Sequence, residues 1–276
     1  MNIKILTIIG LPLTFLLACG DGDKTDDTSE ETDTAEETEE ETEEETEEET
    51  EEETEEETEE TGESQIRVVH LSPDAPEVDV YANGEAIGVN GVGFPAGSGY
   101  LTVPSGDYTF GLAPAGTDFD SVVIETVVST LSADSSYTAV AHGYLDSANG
   151  ANALDISVIF ASDIDIPEGS FNLQIFHAAA ADAFAQVDLW NVTDENNPSA
   201  LHEDFDFGAT FSTLLPAGVA YVIGIDADND ANPEATFNIP DTLAGYVTVY
   251  AANDQAGVPF LFAHLEDGTT VRIDPN

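Results

Sequence analysis

From Ile66 onward the chain alternates apolar and polar side chains with a period of two. Ile66, Val68 and His70 fall on one side, Arg67, Val69 and Leu71 on the other. Val78, Val80 and Ala82 alternate with Asp79, Tyr81 and Asn83; Tyr108, Phe110 and Leu112 alternate with Asp107, Thr109 and Gly111. Successive side chains of a strand point to opposite faces, so this rhythm in β-branched and aromatic residues predicts half-buried strands. Tyr221-Val222-Ile223-Gly224-Ile225 predicts a strand covered on both sides. Asn83-Gly84 predicts a hairpin, because both central positions of a type I′ turn take positive φ. Pro104 and Pro216 pre-set φ for turns that Gly106 and Gly218 close. No amphipathic helix is evident beyond the N-terminal apolar run, and short strands with frequent turns predict all-β sandwiches.

The pattern occurs twice. Ile66–His70 matches Leu173–His177, and Val78-Asp79-Val80-Tyr81 matches Val187-Asp188-Leu189-Trp190. Val103–Tyr108 matches Leu215–Tyr221 with one insertion, Tyr137–Val140 matches Tyr246–Val249, and Val158–Ala161 matches Phe260–Ala263. Ordered blocks of this kind mark tandem units. The join falls near Ile164–Gly169, placing a first β-sandwich domain at 65–165 and a second at 166–276.

The N-terminus reads differently. One cation, Lys4, precedes an apolar run from Ile5 to Leu17, then Ala18, Cys19 and Gly20. This is an export signal at 1–18, too short to span a bilayer as a helix. Leu16-Leu17-Ala18-Cys19 resembles the lipobox of bacterial lipoproteins, which are cleaved before the cysteine and acylated on it. The resemblance implies a palmitate-type lipid on Cys19 and a membrane as the first partner. It places the chain in a bacterial cell envelope, on the outer membrane, and the residue after the cysteine (Gly20) favours outward sorting to the surface. Cys19 is the sole cysteine, so the chain offers no internal disulfide.

Residues 19–64 are a tether. Glu, Asp and Thr dominate it, and Thr38–Glu57 repeats Thr-Glu-Glu-Glu. Such a segment lacks the apolar surface to offset chain ordering and repels itself, so it is expected to be disordered and extended, reaching on the order of 140 Å. Of 57 acidic residues, 27 lie between Asp21 and Glu63, leaving 30 beyond it against two cations, Arg67 and Arg272. That field repels nucleic acid, whose binding needs Lys and Arg on phosphates. The partners to expect are an extracellular protein or polysaccharide.

Arg67-Val68-Val69-His70-Leu71-Ser72-Pro73-Asp74-Ala75-Pro76-Glu77-Val78-Asp79-Val80-Tyr81 resembles the opening of a bacterial family of secreted and surface proteins, the domain-of-unknown-function family DUF4397. The second copy keeps His177 and Val187-Asp188 but has Ala178-Ala179-Ala180-Ala181-Asp182 in place of the Ser-Pro-Asp-Ala-Pro loop. The resemblance implies immunoglobulin-like sandwiches and a cell-envelope location, and no activity.

Candidate chemistry is sparse. His70 with Asp79, and His177 with Asp188, have the makings of an oriented base; the competing reading is a histidine that joins two strands. No Gly-x-Ser-x-Gly elbow is present, and His202-Glu203 lacks the second histidine of a zinc protease. The Gly88–Gly99 stretch has no lysine or following helix to cradle phosphate. Tyr81 and Trp190 fill matched positions, either packed on a sheet or free to stack on a sugar. Asp226, Asp228, Asp230, Asn232 and Glu234 place oxygens at alternate positions, as calcium loops do. Ala231 stands where such loops carry glycine, and Phe237 where they close with glutamate. No cofactor other than Ca²⁺ is indicated. The sequence therefore predicts a non-catalytic envelope lipoprotein for binding, adhesion or a structural role. Its contact loop is Ser72, Pro73, Asp74, Ala75 and Pro76. A calcium-dependent module is the second reading and a secreted hydrolase the third.

Overall fold

A computed structural model describes residues 62–146, 152–161 and 165–276. The expected signal sequence, Cys19 and the expected tether up to residue 61 lie outside them. These described residues form one compact unit. Among the described residues the fold is all-β, with 3-10 turns at Phe119–Ser121 and Asp182–Phe184 as its helical pieces.

The first half of the unit contains β1 (Glu63–His70), β2 (Val78–Ala82), β3 (Glu85–Ala86), β4 (Ala96–Gly97), β5 (Leu101–Pro104), β6 (Gly106–Tyr108), β7 (Phe110–Pro114), β8 (Ile124–Glu125), β9 (Ser129–Leu131), β10 (Ser136–His142) and β11 (Asp155–Ala161). The second contains β12 (Ser170–His177), β13 (Gln186–Asn191), β14 (Ser199–Asp206), β15 (Thr210–Pro216), β16 (Tyr221–Asp226), β17 (Ala235–Ile239), β18 (Gly245–Asn253), β19 (Pro259–His264) and β20 (Thr270–Ile273). β1 starts at Glu63, ahead of the tether boundary expected at residue 64.

Both halves have one topology. The order β11-β10-β1 with β4 and β5 beyond it answers to β20-β19-β18-β12-β15, and β3-β2-β7-β8 answers to β14-β13-β16-β17. In each half the opening strand pairs in parallel with a late one, β1 with β10 and β12 with β18. Asn83 (φ 50) and Gly84 (φ 83) form the expected hairpin between β2 and β3.

Each half buries its own core. Ile66, Val68, Val80, Phe110, Leu112 and Ala139 pack in the first; Leu173, Ile175, Val187, Leu189, Ile223, Phe237 and Val249 pack in the second. A third cluster joins the halves: Val69, Leu71, Val140 and Ile159 meet Phe176, Tyr250, Ala252, Phe260 and Phe262. These come from the outer faces of the β1 and β12 sheets, which therefore pack on each other. Full burial of each large apolar side chain in this seam contributes roughly 1.5–3 kcal/mol.

The seam corrects two expectations. β1 is buried on both faces along its C-terminal half, not on one. The match of Tyr137 to Tyr246 is off by one. His70 pairs with Ala141 and His177 with Ala251, which sets Tyr137 level with Val247. A one-residue slip exchanges the two faces of a strand. Tyr137 accordingly lies in the first core, whereas Tyr246 faces outward, half-buried, on the seam side.

Candidate functional site

The Ser72–Pro76 loop leaves β1 and enters β2, and its polar atoms hold the fold. His70 Nε2 donates to the Pro76 carbonyl at 3.0 Å, and Nδ1 accepts the Ser72 N–H at 3.2 Å. The carbonyl can only accept, so the proton sits on Nε2. Asp74 accepts the Leu145 N–H at 2.7 Å and the Asp146 N–H at 2.9 Å, tying the loop to the chain that follows β10. Ser72 and Pro73 are buried, Asp74 and Ala75 half-buried, and Pro76 exposed. The expected contact loop is thus mainly a packed junction, with Pro76 as its open residue.

In the second half the same junction is built from alanines because it is buried. Ala178, Ala179 and Ala180 are 1%, 3% and 0% exposed. The Ala180 carbonyl accepts from Asn152, and the Ala181 N–H donates to Asn253, which itself donates to the Tyr144 hydroxyl at 3.0 Å. Asn152 and Tyr144 belong to the first half. The loop's departure from the Ser-Pro-Asp-Ala-Pro pattern is therefore the signature of a surface covered by the other half.

The two candidate His–Asp pairs do not form, and the strand-joining reading of the histidines fits instead. Asp79 accepts the Gly91 and Gly116 N–H groups, both at 2.7 Å, and Asp188 accepts the Asp204 N–H at 2.7 Å. His177 Nδ1 accepts the Ala179 N–H at 3.3 Å, as His70 does with Ser72. Burial pushes both imidazoles below their usual value, His177 to about 4, with the Pro76 and Phe184 backbones respectively opposing the shift. Each histidine stands as a neutral brace at a strand end.

The acidic loop gathers its side chains. Asp226, Asp228, Asp230 and Glu234 each bring a carboxylate oxygen within 4.8 Å of the others. Asp226 closes β16 and is fully buried; its Oδ1 accepts the Asp228 and Asn229 N–H groups, and Oδ2 accepts that of Ala231. Glu234 accepts the Ala227 N–H at 2.7 Å, and Asn232 donates its own N–H to Asp230. Ala231 adopts φ 64, the left-handed conformation that glycine supplies in calcium loops. The loop folds back over the outer face of its sheet: a Cβ on Gly224 would lie 2.5 Å from Pro233. Asp188 sits directly across from Asp226 in the β13–β16 register. Like charges so placed repel, and a divalent cation would relieve that. In the first half the position of Asp226 is taken by Ala113, so this constellation belongs to the second half alone.

The matched aromatics are packed. Tyr81 is 9% exposed, its hydroxyl donates to the Thr117 carbonyl at 2.7 Å, and its ring lies 5.6 Å from Phe119. Trp190 is half-buried beside Gly224.

Arg67 went unmarked in the sequence. It is 1% exposed and lies in the seam. Nε donates to the Thr138 hydroxyl at 3.0 Å, one terminal nitrogen to the Leu265 carbonyl at 2.9 Å, and the other to the Thr248 hydroxyl at 3.1 Å. Its Cζ lies 4.8 Å from the centre of the Tyr100 ring. The available signal was a cation inside an otherwise apolar strand on a chain nearly devoid of cations.

Residues 64–190 match the family model described as Domain of unknown function (DUF4397). That stretch, somewhat under half of the chain, is similar to the family. Its match opens in β1, includes the His70–Pro76 junction and ends in β13 at Trp190. Within the matched stretch, His70 and Asp74 close a strand-to-strand junction by binding backbone. No curated protein matches the sequence. A solved structure titled "Alpha-glucan binding by a streptococcal virulence factor" shares 12% identity, covering 68% of this chain and 93% of that one, with a TM-score of 0.23. That degree of likeness assigns neither fold nor function.

Proposed function

We propose that the chain is a non-catalytic lipoprotein of the bacterial cell envelope, anchored through Cys19, whose two β-sandwich domains, at 65–165 and 166–276, bind an extracellular protein or polysaccharide. The observation that supports this most is the use made of the motif's reactive groups. His70, Asp74 and Asp79 all bond backbone atoms within the fold, an arrangement suited to a rigid display scaffold. Loops on such a scaffold are where recognition is commonly placed. The immunoglobulin-like form of each sandwich and display beyond the outer membrane belong to the same reading. Fatty-acid labelling of wild type and Cys19→Ala, with protease shaving of intact cells, tests it. Label on the wild type alone and shaving of the folded unit are expected; an unlabelled wild type would overturn the anchor.

A second reading is favoured by the acidic loop. The convergence of Asp226, Asp228, Asp230 and Glu234 within 4.8 Å, with Asn232 beside them, fits a Ca²⁺ ion, which takes six to eight oxygens. Calorimetric titration with calcium chloride decides between this and a solvated turn: heat in the wild type, lost in Asp228→Asn/Asp230→Asn, is expected for the site.

A further inference from the structure

The seam between the two sheets changes character along its length. At one end Val140, Phe176 and Phe260 make it apolar. Further along, Arg67, Thr138 and Thr248 form a buried polar belt. Two residues back along each of these three strands stand Gln65, Ser136 and Tyr246, on the same faces by strand alternation. There the sheets part and leave a cleft of about 430 Å³, which Gln65, Ser136 and Tyr246 line together with Tyr100, Asp134 and Glu266. A second hollow of about 330 Å³ shares Gln65, Asp134 and Ser136 and runs on past Thr102, so the groove is elongated.

We propose that this groove binds a neutral glycan chain. The inference rests on the binding role given above and adds its site and ligand class. Sugar rings present apolar C–H faces and hydroxyl edges. Tyr100 and Tyr246 are both half-buried at the groove and supply aromatic surface for the first. Gln65 and Ser136 donate and accept, while the Asp134 and Glu266 carboxylates accept from adjacent hydroxyls. No Lys, Arg or His lines either hollow, and the three carboxylates of Glu63, Asp134 and Glu266 repel anions, so sulfated and uronic-acid polymers are excluded. The Arg67 guanidinium beside Tyr100 is already engaged by Thr138, Thr248 and Leu265 and holds that wall in place. The lining comes from both halves, so the site exists only because the seam joins them.

The test is calorimetric titration of the full chain with neutral hexasaccharides of glucose, mannose and galactose, a uronic-acid hexasaccharide and a trilysine peptide. Binding of at least one neutral hexasaccharide is expected, with Tyr246→Ala weakening it at least tenfold and Glu266→Gln about fivefold. Glu266→Gln is nearly isosteric and Glu266 is exposed, so its effect is separable from misfolding, which thermal unfolding monitors. Binding of trilysine or the uronic acid alone, or of no saccharide, overturns the proposal. A neutral glycan held equally by wild type and both variants also overturns the cleft while leaving the broader binding role intact.

Discussion

Arg67 of the first half donates to the Leu265 carbonyl of the second at 2.9 Å, with no ion pair to Arg67 among the described residues. The cation is instead shared among neutral oxygens of β10, β18 and the turn after β19. Arg67→Ala takes the donor from the half-buried Leu265 carbonyl and from the Thr138 and Thr248 hydroxyls, of which Thr248 keeps its bond to Gln174; an unmet buried group costs about 1–3 kcal/mol. Arg67→Ala is expected to lower stability by about 3 kcal/mol, and Arg67→Lys by nearly as much, because an ammonium cannot reproduce the planar fork. Urea unfolding checks this. One cooperative transition with a lower midpoint is the expected result; a midpoint equal to wild type would show that the belt contributes nothing.

Acid should loosen the same region. Burial holds His142 and His177 at about 4, and burial with the Arg67 charge holds His264 at about 3, the Ser98 backbone opposing in the last case. Their ordinary value is 6.5. Between 6.5 and these values the unfolded chain takes up protons that the native state does not, so stability falls as pH drops and is fully present above 6.5. For His142 the complete difference is roughly 3 kcal/mol. Neither nitrogen of His264 makes a well-formed hydrogen bond, so His264→Leu removes one proton sink at little structural cost. The variant should lose less melting temperature than wild type between pH 7 and pH 4.5. Parallel losses would contradict this.

His70 predicts a purely structural phenotype. His70→Ala frees the Pro76 carbonyl and the Ser72 N–H at a junction in which His70 and Ser72 are fully buried and Pro76 is exposed. A loss of about 2–4 kcal/mol is expected. His70→Gln, whose side chain can accept one bond and donate another, should recover part of it. Thermal unfolding of the pair is the measurement, and equal melting temperatures for Ala and wild type would remove the brace from the account.

Much of this architecture was legible in local pattern. Strand alternation, the Asn83-Gly84 turn and the existence of a repeat are short-range signals that appear where expected, whereas the late blocks of the repeat are out of register: Tyr137 is level with Val247, and Val158 with Ala263. What escaped were consequences of one half meeting the other. Period two on β1 read as one wet face, yet Arg67, Val69 and Leu71 are buried there by the second half. Tyr137 and Tyr246 look alike in sequence, but register is set by backbone pairing and separates them. The Ser72–Pro76 loop read as contact surface because loops on rigid scaffolds commonly carry function; Asp74 instead binds the backbone of Leu145 and Asp146, far along the chain. The acidic loop is the converse case: its ligand spacing is local, and it folds into the cluster that the spacing describes.

That loop yields the last prediction. Ala231 occupies φ 64, a region in which an L side chain costs about 1–2 kcal/mol and glycine costs nothing. Glycine also gains freedom in the unfolded chain, which takes back part of the benefit. Ala231→Gly is therefore expected to raise stability by about 0.5–1 kcal/mol without calcium. If the four carboxylates hold Ca²⁺, relaxing the turn that presents them should also tighten binding, so millimolar calcium should raise the variant's melting temperature further than the wild type's. Asp230→Asn, which removes one of the gathered carboxylates, should abolish the calcium effect while leaving the Ala231→Gly gain intact. Differential scanning calorimetry with calcium or chelator separates the two terms. A gain that is the same with and without calcium assigns Ala231 to turn strain alone, and a wild type whose melting temperature calcium leaves unmoved removes the cation reading of the loop.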